Sequence, residues 1–195
     1  MARKKLFNKK VWVSLFIAAI MILSVFGFMM SYQTNQTGGT EEYNDHKLVQ
    51  TQKGLMTKIN DKEVYFNYYP ASLEQLNMSE DIKSELKNTK AVWVTYDPDS
   101  DFATAMAEIQ FDMEQTLFDV AEIYVARGLT DTKEYALPEV SCANATATMP
   151  VLYLKKGNYT EIESIDNCIT LTTITEPELK MYYNKILYII LGVMQ

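Results

Sequence analysis

The feature that most constrains this chain is a run of twenty residues without a charge, VWVSLFIAAIMILSVFGFMM at 11–30. Twenty helical residues rise about 30 Å, which is the thickness of the hydrocarbon core of a bilayer. The run is preceded by five basic residues, Arg3, Lys4, Lys5, Lys9 and Lys10. Basic residues beside a membrane span stay on the cytoplasmic side. We therefore predict a cytoplasmic tail over 1–10, a transmembrane anchor over 11–30 and a remainder outside the cell membrane.

A cleaved signal peptide is the alternative to an anchor. Signal peptides usually have a shorter apolar region, about 7–15 residues, followed by a small-x-small cleavage site. The triplet Val25-Phe26-Gly27 matches such a site weakly, and nothing in 28–33 matches better. We therefore favour an uncleaved anchor. The polar segment 31–46 contains two consecutive glycines and is predicted to be a flexible linker.

The charge of the chain disfavours nucleic acid as a partner, and its single histidine disfavours several kinds of catalysis. The net charge is -7; beyond residue 10 the chain holds 13 Lys/Arg, the total of 18 less the five of the tail, against 25 Asp/Glu. Such an acidic domain would repel phosphates. The single histidine, His46, leaves no basis for a catalytic triad, a Cys-His pair or a multi-histidine zinc site. We predict no catalytic residue and no cofactor.

Apolar patterning predicts that residues 47–195 form one α/β or α+β domain. Two β-rich runs, 54–59 and 63–69, flank the turn sequence Asn-Asp-Lys and indicate a hairpin. A short apolar run at 91–96 is typical of a buried strand. Further elements are predicted as helices at 72–76, at 80–88 with Ser79 as N-cap, and at about 101–127 with Gly128 as the C-cap.

The last third of the domain is predicted to contain strands and one buried helix. A strand that begins at Pro150 should reach the turn sequence Lys-Lys-Gly-Asn at 155–158 and then return through two more β-rich runs. A final helix should start at Thr175 or Glu176. Its end is apolar nearly all round but too short to span a bilayer, so we expect it to lie buried across the sheet.

Three alternating aspartates, Asp97, Asp99 and Asp101, are the one candidate metal site. They match positions 1, 3 and 5 of a calcium loop, but position 6 is Phe102 where such loops need glycine. The same residues also fit the end of a strand, an Asp-Pro turn and a helix cap at Ser100 or Asp101. We favour the cap and keep calcium binding by the three aspartates as the alternative.

The two cysteines of the chain, Cys142 and Cys168, are predicted to form a structural disulfide, because paired cysteines are common outside the cell. No closely spaced pair suited to redox catalysis occurs in the sequence. Four N-x-S/T triplets, each a candidate glycosylation site, lie on the side predicted to face outward, at Asn35, Asn77, Asn144 and Asn158.

The order of elements over 62–191 resembles a thioredoxin-like domain. The run AVWVTY with the long helix after it is similar to that fold's central strand and redox helix, and TMPVLYLKKGN at 148–158 resembles its cis-proline strand. The resemblance implies that Pro150 is the cis-proline. It places the C-x-x-C position at 97–100, which reads Asp-Pro-Asp-Ser, so thiol redox chemistry is not implied. The run CANAT, with PVLYL and the later NCI, is similar to uncharacterised small archaeal membrane-anchored proteins and implies no activity.

Three functional hypotheses follow from these observations. The first is a non-catalytic module for binding or envelope assembly, with a protein partner in the envelope. The second is a carboxylate-dependent hydrolase that uses Asp97, Asp99 or Asp101 as acid and base. The third is a degenerate thioredoxin-like adaptor, for which a cis Met149-Pro150 bond is the deciding observation.

Overall fold

The computed structural model describes residues 9–34, 39–132 and 135–195. The chain forms two compact units, Met1–Thr40 and Glu41–Gln195. The first contains the helix α1, Lys9–Thr34, whose side chains are described over 11–27 and are all exposed. Within the part of the chain that was described, no helix is both long enough and apolar enough to cross a membrane. The transmembrane anchor over 11–30 stays a prediction.

The segment predicted as a flexible linker contains regular structure. Helix α1 continues to Thr34, β1 spans Thr40–Tyr43 and β2 begins at His46, while 35–38 lie outside the described residues. Between β1 and β2, Asn44 and Asp45 have φ values of 45° and 65°. Asn and Asp tolerate this left-handed conformation, which tight hairpin turns require. The prediction of a linker is therefore wrong over 40–46, where a two-residue turn between strands went unrecognised.

The first sheet of the second unit has four strands in the order β1-β2-β3-β4. The predicted hairpin is confirmed as β3 and β4, which pair antiparallel around a turn at Asn60 and Asp61 with φ values of 50° and 62°. The buried residues of β4 alternate with exposed ones, so one face of this sheet meets the core. Its strands are β1 Thr40–Tyr43, β2 His46–Thr51, β3 Gly54–Ile59 and β4 Lys62–Phe66.

The second sheet has five strands in the order β6-β5-β7-β9-β8. Strands β6, β5, β7 and β9 pair in parallel, and β8 pairs antiparallel to β9. The predicted buried strand over 91–96 is confirmed as β5. The strands are β5 Ala91–Tyr96, β6 Tyr124–Arg127, β7 Val151–Lys156, β8 Glu161–Ile165 and β9 Cys168–Thr173.

The chain after β7 does not fold back as the sequence suggested. The chain passes the position of β9 and forms β8 at the edge of the sheet. It then returns to form β9 through a tight turn at Asp166 and Asn167, whose φ values are 51° and 63°. Burial explains the order, because β9 is buried on both faces whereas β8 is exposed at alternate residues. The half-buried strand therefore takes the edge and the apolar strand takes the interior.

The helices of the second unit agree with the sequence in most of their positions. Ser79 caps α3 as predicted, since its Oγ accepts a hydrogen bond from the N–H of Ile82 at 3.4 Å. Helix α4 ends six residues earlier than predicted, with Glu122 in a left-handed conformation at φ 55°. The rest of the predicted helix is β6, which pairs with the edge of β5. The helices are α2 Pro70–Leu73, α3 Glu80–Asn88, α4 Ala103–Ala121 and α5 Glu176–Ile190, with a 3₁₀ turn at Cys142–Asn144.

The final helix is buried, as predicted, and joins the first sheet to the other helices. The ring of Tyr188 stacks on Phe66 of β4, with ring centroids 3.8 Å apart. Lys185, 4% exposed, donates from Nζ to the carbonyl oxygens of Leu73 and Leu76 at 3.0 and 2.6 Å. Burial lowers the pKa of the Lys185 amine. These contacts tie α5 to the end of α2, where helix carbonyls lack helical partners.

The cis-proline that the thioredoxin-like resemblance implied is not observed. No cis peptide bond occurs among the described residues, so the expected cis bond before Pro150 is wrong and this bond is trans. The turn predicted at 155–158 also does not join a hairpin, because β7 pairs with β5 and β9 and not with β8. What the structure supports is the coarser class, a mixed α/β domain with two sheets.

Candidate functional site

The three aspartates lie at the place in the fold where ligands of open α/β sheets usually bind. Strand β5 leads through α4 to β6 on one side, and the chain then crosses to β7 on the other side of β5. The carboxyl ends of β5 and β7 thus form the topological switch point of the parallel sheet. Asp97 directly follows β5, and Asp99 and Asp101 lie in the turn before α4.

All three aspartates are exposed at this position, and their polar contacts are local or with a lysine. The Oδ1 of Asp97 accepts a hydrogen bond from the N–H of Asp99 at 2.9 Å. Asp101 forms an ion pair with Lys156 at the end of β7, which holds the pKa of Asp101 below its usual value. Lys156 also lies 5.2 Å from the ring centroid of Phe102. The site therefore joins the ends of two neighbouring parallel strands.

The N-cap of α4 lies one or two residues after the position predicted from the sequence. Phe102 is the N-cap of α4 and makes no side-chain capping hydrogen bond. Ser100 instead stabilises the turn before the helix, since its Oγ accepts from the N–H of Phe102 at 3.2 Å. The predicted cap at Ser100 or Asp101 is therefore wrong in position. Sequence reasoning also missed Lys156, which is 55 residues from Asp101.

Calcium binding by the aspartates stays a prediction, and a melting experiment tests it. Within the described ranges, no group of three His, Cys, Asp or Glu side chains is arranged to hold a metal ion. Because Asp101 is paired with Lys156, we expect millimolar calcium to leave the melting temperature unchanged. A ligand that binds only the native state must raise it. A calcium-dependent rise that is lost in Asp99→Asn would instead establish the metal site.

The disulfide predicted from the sequence is confirmed. Cys142 and Cys168 are bonded, with their Cα atoms 5.3 Å apart. The bond attaches the 3₁₀ turn to the start of β9 in the second sheet. Asn77, Asn144 and Asn158 are exposed, and Asn35 lies outside the described residues. Glycosylation at all four positions stays a prediction.

A groove lies between β4 and α4, and sequence reasoning missed it. It consists of two adjoining clefts of about 310 and 300 Å³ that share Tyr65 and Asp112. We call it the β4 groove. One cleft extends to Asp119 on α4, and the other reaches Glu108 on α4 and Lys180 on α5.

The floor of the β4 groove contains a buried tyrosine. The hydroxyl of Tyr183, on α5, donates a hydrogen bond to Asp112, and burial raises the pKa of Tyr183 well above its usual value. At the rim, the Nζ of Lys180 lies 3.7 Å from the Oε2 of Glu108. A phenol held protonated beside a carboxylate can position a ligand by hydrogen bonding.

Exposed aromatic side chains lie on the outer side of α4, beside the β4 groove. Phe111 and Phe118 are 55% and 62% exposed, and Tyr124 of β6 is 60% exposed. Phe118 and Tyr124 line a hollow of about 220 Å³ together with Gln115, which also lines the β4 groove. We call Phe111, Phe118 and Tyr124 the aromatic face. Exposed clusters of large apolar side chains commonly mark interaction sites.

The sequence contained one signal for the aromatic face. Phe111 and Phe118 are seven residues apart, so they lie on the same side of a helix. Neither belongs to the apolar stripe that predicted α4. The members of that stripe inside the helix are buried, namely Met106, Ile109, Met113, Leu117 and Val120. Two further members lie outside the helix, Phe102 at its N-cap and Tyr124 in β6. Two phenylalanines that share a side away from the buried stripe indicate a second apolar surface on the same helix.

Comparisons with known proteins identify no relative of the chain. No family model, no curated protein and no solved structure shows significant similarity to the chain. The similarity to archaeal membrane-anchored proteins therefore stays a prediction.

Proposed function

We propose that this chain is a single-pass membrane protein whose outer domain is a non-catalytic module that binds a protein of the envelope. The binding surface comprises the aromatic face and the adjoining β4 groove. The observation that carries the proposal is the concentration of exposed aromatic side chains around α4. Aromatic residues are enriched in protein–protein interfaces and contribute most of the energetic hot spots there.

The anchor is proposed from the sequence of the first unit, and its orientation from the basic residues before it and from the cysteines. Helix α1 is 26 residues long and contains the uncharged run 11–30 after five basic residues. Its exposed side chains include Trp12, Leu15 and Phe16. Large apolar side chains of this kind are typical of the lipid-facing surface of a membrane helix. The disulfide between Cys142 and Cys168 fits an oxidising compartment.

The carboxylate-dependent hydrolase has less support than the binding module. Catalytic carboxylates usually lie in a concave site with a pKa tuned towards neutrality. Asp97, Asp99 and Asp101 are exposed, and the pKa of Asp101 is lowered by Lys156. The adaptor hypothesis loses its deciding observation, since the bond before Pro150 is trans.

Photo-crosslinking in intact membranes tests the binding surface. We expect Phe118→p-benzoylphenylalanine to give one discrete adduct with another protein, and the yield to fall at least fivefold when Phe111→Ser is added. Tyr159 is a matched control, because it is a 59% exposed aromatic residue in the turn between β7 and β8. Equal adducts from positions 118 and 159, or none from position 118, would overturn the proposed surface.

Intact mass of the protein extracted from membranes tests the anchor. We expect the full-length mass, with both cysteines alkylated only after reduction. Extra mass in sugar-sized steps would add glycosylation. A mass that lacks about the first thirty residues would mean a cleaved signal peptide, and alkylation without reduction would remove the support for the outward orientation.

A further inference from the structure

Among the described strands, β4 lies at an edge of the first sheet and pairs with β3 alone. The two-residue turn at Asn60 and Asp61 makes Ile59 and Lys62 the closing pair, which exchanges hydrogen bonds. Because hydrogen-bonded and non-bonded pairs alternate along an antiparallel ladder, the N–H and C=O groups of Glu63 and Tyr65 point away from β3. Among the described residues, no backbone hydrogen bond from another segment reaches them. These groups form an open strand edge.

The open edge of β4 is one wall of the β4 groove. Residues 62–65 all line the groove, although alternate side chains of a strand point to opposite faces. Four consecutive residues can line one wall only if the edge of the strand itself forms it. The opposite wall runs along α4 from Glu108 to Asp119, a rise of about 16 Å. That length accommodates about five residues of extended chain, the length of β4 itself.

The side chains around the groove have an excess of negative charge. Carboxylates from both walls, Glu63, Glu108, Asp112 and Asp119, outnumber the ammonium groups of Lys62 and Lys180. An acidic surface of this kind favours basic partners and disfavours acidic ones. A second copy of this chain fits poorly by that criterion, because three of its four described edge strands carry carboxylates, namely β1 with Glu41 and Glu42, β4 with Glu63, and β8 with Glu161 and Glu163. The fourth edge strand, β6, carries Arg127, which is already paired with Glu114.

We propose that the partner supplies an extended segment, with Lys or Arg at alternate positions, which adds to β4 as a fifth strand of the first sheet. The backbone of the segment would pair with the outward N–H and C=O groups of Glu63 and Tyr65, and its basic side chains would lie against the acidic walls. Strand addition of this kind gives affinity through main-chain hydrogen bonds and specificity through alternate side chains. This inference rests on the proposed function and names the chemistry of its partner.

A synthetic probe peptide tests strand addition on the full chain in detergent. The probe is an acetylated and amidated nonapeptide of alternating Thr and Lys, and the comparison peptide has Glu in place of Lys. We expect the Lys peptide to bind at least tenfold more tightly than the Glu peptide, and to slow hydrogen exchange at the amides of Glu63 and Tyr65. Methylation of alternate backbone nitrogens of the Lys peptide, in the register that faces β4, should weaken binding at least tenfold.

Variants at Glu63 separate the strand edge from the charge. Glu63→Pro removes the N–H that points away from β3. The hydrogen bonds between β3 and β4 stay intact, because the N–H of Glu63 is not one of their donors. Glu63→Gln removes only the charge. We expect the Pro variant to weaken binding of the Lys peptide at least tenfold and the Gln variant about two- to threefold. A melting curve will show whether the Pro variant folds. If it does not fold, binding of the methylated peptides to the unchanged protein tests strand addition instead.

The outcomes distinguish strand addition from the broader function. No binding of the Lys peptide at millimolar concentration, or equal losses in the Pro and Gln variants, would overturn strand addition. Self-association of the chain that Glu63→Pro abolishes would also overturn it, since the occupant would then be a second copy. A discrete adduct at position 118 together with any of these three results would still support the binding module, but without strand addition.

Discussion

Replacing Tyr188 with alanine is expected to lower the free energy of unfolding of the outer domain by about 3–5 kcal/mol. The side chain is fully buried in α5, and its ring stacks on Phe66 of β4. Its removal leaves a cavity where the last helix meets the first sheet, so the lost burial and the lost stacking add together. Since domains of ordinary size are stable by only about 5–15 kcal/mol, urea unfolding followed by circular dichroism will resolve the change.

Two further variants locate the origin of this effect. Tyr188→Phe keeps the ring and removes only the hydrogen bond from its hydroxyl to the carbonyl of Tyr68 at 2.9 Å, so we expect a loss of about 1 kcal/mol. Tyr159→Ala removes an exposed ring and should stay within about 0.5 kcal/mol of the unchanged protein. A loss for Tyr188→Ala no larger than that for Tyr159→Ala would contradict the packing of α5 against β4.

Elements defined by nearby residues could be predicted from the sequence. The hairpin of β3 and β4 follows from a turn sequence between two β-rich runs, and the start of α3 follows from Ser79 as its cap. The final helix was predicted from Thr175, whose Oγ accepts from the N–H of Glu178 at 3.4 Å. In each case the decisive interaction joins residues at most a few positions apart.

Features that depend on distant segments could not be predicted. The sequence beyond Ala121 keeps a helical spacing of apolar residues, but pairing with β5 makes Tyr124–Arg127 a strand. The order of β8 and β9 is likewise decided by which strand gains more from burial in the interior of the sheet. Tertiary contacts override local preference in both cases.

The candidate sites show the same difference between features set by nearby residues and features set by distant segments. The acidic turn after β5 was identified, because its three carboxylates are close together in the sequence. Its ion pair with Lys156 joins residues that only the parallel pairing of β5 with β7 brings together. The β4 groove likewise combines β4, α4 and α5, whose residues are far apart along the chain. Sites built from several elements need the topology before they can be recognised.

Removal of the disulfide is the second change with a large expected effect. We expect Cys142→Ala combined with Cys168→Ala to lower the free energy of unfolding by about 3–4 kcal/mol. The bond closes a loop with a sequence separation of 26, and closing such a loop reduces the entropy of the unfolded chain by a corresponding amount. Alanine is the appropriate replacement at 168, because Cys168 is buried beside Val140 and Val151 and a serine there would bury a hydroxyl. Urea unfolding measures the loss.

Reduction of the unchanged protein is the control, and hydrogen exchange shows where the bond acts. Reduced protein and the double variant should lose the same free energy, since both lack the same constraint. The hydroxyl of Thr95 donates to the carbonyl of Val140 at 2.9 Å, so this hydrogen bond holds the chain that precedes Cys142 against β5 independently of the disulfide. We therefore expect amide exchange around Val140 to follow global unfolding in the double variant. Much faster exchange there, with little change in the free energy of unfolding, would show that the bond holds this segment in the native state and contradict the unfolded-chain explanation.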